Sequence, residues 1–112
     1  MERSILVTLD VNDAWRYYSV MIISFKCSES EALSKGHRIR RFVNIERVAL
    51  RKLRQLQVAE KLTDLRVPPG NRLEALKGDR KGQHSMRIND QFRICFRWNK
   101  AGATDVEIVD YH

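Results

Sequence analysis

The chain ends on Asp110, Tyr111 and His112, which set a carboxylate, a phenol and an imidazole side by side. A free imidazole titrates near pH ~6.5, so His112 is suited to giving and taking protons around neutrality. A neighbouring carboxylate, Asp110 or the chain's own terminus, would favour the imidazolium and fix the ring's orientation. Upstream, Arg87 and Arg93 supply forked cations of the kind that match phosphate oxygens. Acid–base work at a phosphate is the chemistry these types suggest. On the residues alone the plainer reading prevails for His112, a terminal histidine in solvent, and the corresponding one for Tyr111 is an aromatic packed on the core. Adjacent residues of a regular strand face opposite ways, so Tyr111 and His112 share a pocket only if the tail leaves extended geometry.

Chain ends fray unless something holds them, and Val106, Ile108 and Val109 could do so as a strand. Before that strand the hydrophobic period is 2 from about residue 72 onward. "RLEAL", "QHSMRI", "FRICFRW" and "DVEIVDY" read as short strands separated by "KGDRKG", "ND" and "NKAG". In the third, Phe92, Ile94, Phe96 and Trp98 alternate with Arg93, Cys95 and Arg97. One face is core and the other is basic. His84 shares the parity of Met86 and Ile88, which predicts a partly buried histidine with its hydrogen bonds satisfied.

The first half has the helical period. "SESEAL" (28–33) carries a start signal, with Ser28 or Ser30 as cap, and Gly36 is a stop. A longer helix is expected after Asn44 to about Lys61, with Ile45, Ala49, Leu53 and Leu56 on one face. Arg47, Arg51 and Arg54 lie opposite, either a solvated helix back or, with Arg38, Arg40 and Arg41, a grip on phosphate backbone. "VPPGN" (67–71) ends the helical half. "MIISF" (21–25) reads as a first strand. The prediction is an α+β domain, an N-terminal strand and two helices packed on a curved antiparallel sheet of about four strands.

The chain has 112 residues, enough for one domain with a modest core. Its net charge is +7, which attracts polyanions, nucleic acid foremost. Removing residues 1–20 takes away Arg3 and Arg16 with Glu2, Asp10 and Asp13, and residues 21–112 are then left at +8. That stretch reads as an extension outside the domain, either a further strand, since "ILVTLDV" alternates weakly, or the product of an upstream start codon, which is the favoured reading. No run approaches the ~20 apolar residues of a membrane span, and no signal peptide is evident, which points to the cytoplasm. Cys27 and Cys95 are far apart and are expected reduced and mostly buried. The histidines His37, His84 and His112 have no metal-ligand spacing, so neither metal nor cofactor is expected.

The stretch "PPGNRLEALKGDRKGQHSMRINDQFRICFRW", with "VEIVDYH" at the terminus, resembles the HigB-type toxins of the RelE/ParE superfamily. The resemblance covers 21–112 and rests on the spacing L-x-G-x-R-x-G-x-x-S-x-R-I-N-x-x-x-R-x-x-F together with the closing D-Y-H. It implies a ribosome-dependent mRNA endonuclease that cuts in the A site and is paired with a HigA-like helix-turn-helix antitoxin. Operator DNA would be met only through that antitoxin.

Carried onto this chain, the resemblance implies that Asp110, Tyr111 and His112 are functional and that Arg93, with Arg87, stabilises charge at phosphorus. Lys77, Arg80 and Lys81 become a flexible basic hairpin end for ribosomal RNA or message, to which Arg47, Arg51 and Arg54 could add. Some family members carry a histidine where this chain has Glu74. For Glu74 to be the general base it would have to be buried away from the surrounding lysines and arginines. A ParE-like inhibitor of gyrase, or a degenerate toxin that only binds its antitoxin, are the alternatives.

Overall fold

At Val67–Gly70 the hydrophobic period changes, and there the backbone passes from helices to strands. A computed structural model describes residues 22–111 of the chain. They comprise α1 (Ser28–Ser34), a 3-10 turn (Arg40–Ile45) running straight into α2 (Glu46–Val58), and two more such turns (Leu62–Arg66, Pro69–Asn71). Then follow β1 (Glu74–Ala75), a 3-10 turn (Gly78–Arg80), β2 (His84–Arg87), β3 (Phe92–Asn99) and β4 (Gly102–Asp110). The strands form one antiparallel meander in chain order. This is the α+β architecture expected.

The core lies where α2 covers the sheet. Ala49, Leu53 and Leu56 meet Met86, Ile94, Phe96 and Ile108, all buried. Each large side chain so buried contributes roughly 1.5–3 kcal/mol. The 3.6-residue spacing read from the sequence is therefore the face that packs, and Arg47, Arg51 and Arg54 stand exposed opposite it. α1 ends as expected at Gly36, whose φ of +94° suits a residue without Cβ. There the Gly36 and His37 amides donate to the Leu33 and Ala32 carbonyls.

Four expectations need correction. α2 stops at Val58 rather than near Lys61, because the Asp64 carboxylate accepts from the Glu60 and Lys61 amides at 3.0 and 3.1 Å and draws the chain into the next turn. Neither Ser28 nor Ser30 caps α1, since Cys27 holds the cap position. Ser30 is instead buried, and its Oγ accepts from the Ile108 amide at 2.9 Å, stapling α1 to β4. The expected first strand is reduced, among the described residues, to two isolated bridges, Ile22 opposite Ala103 and Phe25 opposite Val106, both parallel to β4. Between them Asp105 has φ +51° and its amide donates to Ser24 Oγ, so the ladder cannot run through. The expectation of two mostly buried thiols holds for Cys95 alone, for Cys27 is half-exposed. Residues 1–20 and Met21 lie outside the described residues.

Candidate functional site

Cross-strand register puts Arg87, Arg93 and Val109 in one row, and Glu74, Ser85, Cys95 and Glu107 in the next. Directly opposed residues share a face, so all project from the side of the sheet away from the helices. Two guanidiniums opposite each other repel, and the fold separates them by giving each its own partner. Arg87 leans into the β2–β3 turn, where its Nη2 bonds Asp90 Oδ1. Arg93 is held from the β1 side.

Arg93 is the most confined cation of this face, with its side chain 12% exposed. Its Nε donates to Ser85 Oγ at 2.8 Å and its Nη2 to the Arg72 carbonyl at 2.8 Å. The Glu74 carboxylate is 3.3 Å from Nη2. The Tyr111 ring lies below, its centroid 5.7 Å from Arg93 Cζ, within cation–π range. Nη1 has no acceptor among the described residues. A planar fork held by its other end, with donors left over among the described residues, has the chemistry to clamp an oxyanion.

The tail is held as its sequence suggested. β4 runs to Asp110, and beyond it the Tyr111 amide donates to the Gln91 carbonyl at 2.6 Å. Asp110 is opposite Phe92, hence on the other face from Arg93, and its Oδ2 accepts from Gln91 Nε2 at 3.0 Å. His112 lies outside the described residues, as does the expected bend that would bring it beside Tyr111.

Glu74 is 54% exposed and paired with Arg93. Lys77 and Lys81 are exposed at the β1–β2 connection, and a 3-10 turn occupies the "KGDRKG" stretch. Arg80 turns inward instead, with Nη1 3.0 Å from Gln83 Oε1 and Nη2 3.7 Å from Glu107. Arg97 crosses Gly82, where an added Cβ would come within 2.5 Å of its Nη1, and pairs with Asp105 at 3.7 Å. The open face is basic, as its sequence suggested, but its arginines are partnered. Arg87, Arg93 and Arg97 each have a carboxylate beside them.

His84 is half-buried and stacked on Phe96, as its parity predicted. Its hydrogen bonding is not satisfied, since among the described residues the buried Nδ1 finds no partner. Sequence reasoning missed Ser85 and the Arg72 carbonyl. Ser85's parity with Glu74 across the hairpin was the available signal; a backbone carbonyl leaves none.

The chain matches, over residues 31–112, the family described as RelE-like toxin of type II toxin-antitoxin system HigB. It is 40% identical over 80 residues to Toxin HigB-1 of Vibrio cholerae serotype O1, a match covering 70% of this chain and 84% of that protein. An uncharacterized protein of Haemophilus influenzae is 36% identical over 55 residues, covering 49% of this chain and 54% of its own length.

Proposed function

Because the chain belongs to the HigB family of RelE-like toxins, and so is the toxin of a type II toxin–antitoxin pair with a cognate antitoxin, we propose that it cleaves messenger RNA in the ribosomal A site. We assign the toxin domain to 21–112, with 1–20 as an extension. The supporting observation is Arg93, held by Ser85, Arg72 and Glu74, with the Tyr111 ring 5.7 Å from its Cζ and no acceptor at Nη1 among the described residues.

The chemistry needs no metal. The 2′-hydroxyl attacks the adjacent phosphorus, the new 2′-O–P bond forms, and the P–O5′ bond breaks. One proton leaves the attacking oxygen and one reaches the departing O5′. His112 is assigned to this proton traffic, with the chain's own terminal carboxylate to orient it, since Asp110 stands across the sheet from Arg93. Arg93 stabilises the charge accumulating on the non-bridging oxygens, and Tyr111 offers a stacking surface for a base. Glu74, next to Arg93 and open to solvent, serves as that cation's orienting partner rather than as the base. Lys77 and Lys81, with Arg47, Arg51 and Arg54, grip ribosomal RNA or message backbone, and Arg87 adds to the field at the β2–β3 turn. The antitoxin is of HigA-like helix-turn-helix type, and operator DNA is reached through it; the setting is the cytoplasm.

The test is to express the full chain and map RNA ends on translating ribosomes. Breaks within the A-site codon are expected, leaving 2′,3′-cyclic phosphate and 5′-hydroxyl ends, and His112→Ala should remove them. Intact message together with lost gyrase activity would replace this reading with the ParE-like one.

A further inference from the structure

Asn71 is polar and fully buried, and its whole side chain is engaged. Nδ2 donates to the Leu65 carbonyl at 3.0 Å and to Gln55 Oε1 at 3.1 Å, with the Val67 carbonyl at 3.3 Å. Oδ1 accepts from the Lys52 ammonium, and Lys52 is itself only 7% exposed. Gln55 Nε2 also donates to the Val67 carbonyl, at 2.5 Å. Placing an ammonium and an amide in the interior of so small a domain costs free energy that apolar residues would not. Ending α2 does not require it, since Asp64 does that. What the network fixes is the 65–71 loop against α2.

The residue after the loop is Arg72, at φ +47°, a region that residues other than glycine occupy sparsely. Its amide donates to the Pro69 carbonyl at 3.0 Å, and in this turn its own carbonyl meets Arg93 Nη2 at 2.8 Å. The path from α2 to the open sheet face is thus continuous: Lys52 and Gln55, Asn71, the Arg72 carbonyl, the Arg93 fork.

We infer that Asn71, tied to α2 by Lys52 and Gln55, is a positioning residue for RNA cleavage: it holds the Arg72 carbonyl where that carbonyl orients the Arg93 guanidinium. The inference rests on the proposed role of Arg93 at the phosphate. Asn71 touches no reacting atom and acts through Arg93 alone.

Full-length wild type, N71A, R93A and the double variant are compared in single-turnover cleavage on programmed ribosomes. N71A should lower the rate at saturating ribosome by about 10²-fold, the effect of a misplaced clamp, and leave half-saturation unchanged. Acting through Arg93, it should add nothing in the R93A background. Multiplied losses in the double variant would overturn the inference. Exchange of the Arg93 Nε–H, followed by NMR, reads the same claim without activity. N71A should accelerate it, and an unchanged rate in a folded N71A overturns the inference. Should wild type cut no RNA, the functional reading fails separately, and the exchange rate still decides whether Asn71 sets Arg93. If N71A does not fold, Q55A, which removes one tie at a half-buried position, should shift both readouts the same way by less, and no shift in either overturns the inference.

Discussion

Two sets of arginines share this molecule and are held in opposite ways. Those on the sheet's open face are individually restrained: Arg87 by Asp90, Arg97 by Asp105, and Arg93 by a hydroxyl, a carbonyl, a carboxylate and an aromatic ring. Those on the back of α2, Arg47, Arg51 and Arg54, are exposed and have no carboxylate partner among the described residues. On the proposed reading the comparison separates two jobs that net charge alone merges. Unpaired cations make the long-range field that draws in a polyanion, while a restrained fork costs little to reorganise once the phosphate arrives.

The largest expected effect breaks the sheet side. Arg93→Ala should cut the cleavage rate by about 10²–10³-fold, as loss of a preorganised donor does, without weakening antitoxin binding. Arg93→Lys should recover only a small part, because an ammonium keeps the charge and loses the fork. On the helix side the expectation is different in kind. The triple replacement R47A/R51A/R54A should leave the saturated rate alone. It should weaken ribosome association and lower the slope of log affinity against log salt by about 3, one per lost phosphate contact.

Lys52 is a third kind of cation, buried between the two sets. Burial first, then Arg51 and Arg87, pull its proton affinity below the ordinary value of 10.5. The folded state therefore releases this proton at lower pH than the unfolded chain does. Between those two points the unfolded state binds more protons, so this contribution makes stability rise with pH up to 10.5 and level off above. Urea unfolding at pH 7 and pH 10 should show a smaller rise for Lys52→Met than for wild type. The smallest effect is at the thiols. At Cys27 burial alone would push the thiol up, but hydrogen bonds from Ser30 and Glu29 and the charge of Arg41 outweigh it and the net shift is downward. Burial, with Glu107 adding, pushes the buried Cys95 thiol up. A thiol reagent at neutral pH should label Cys27 promptly and reach Cys95 only on unfolding.

Much of this was legible in the sequence. The meander could be read from Phe92, Ile94, Phe96 and Trp98 because a half-buried strand writes its period into side-chain type. The α2 face could be read from Ala49, Leu53 and Leu56 for the same reason. Partnership was not. Nothing in the spacing says that Arg80 turns in to Glu107 while Lys77 stays out, or that Lys52 on a nominally polar position is drawn inside by Asn71. These depend on contacts between residues far apart in the chain. Asp110 illustrates the limit from the other side. It is adjacent to Tyr111 in sequence, yet its register opposite Phe92 places it across the sheet from Arg93.

The most direct measurement is end mapping on ribosomes stalled with a defined A-site codon, using the full chain, Arg93→Ala and the α2 triple variant at saturating concentration. Wild type and the α2 variant should cut that codon at matching rates while Arg93→Ala cuts it about 10²–10³-fold more slowly. Equal cutting by Arg93→Ala, or none by wild type, would contradict a restrained sheet arginine as the centre of the site.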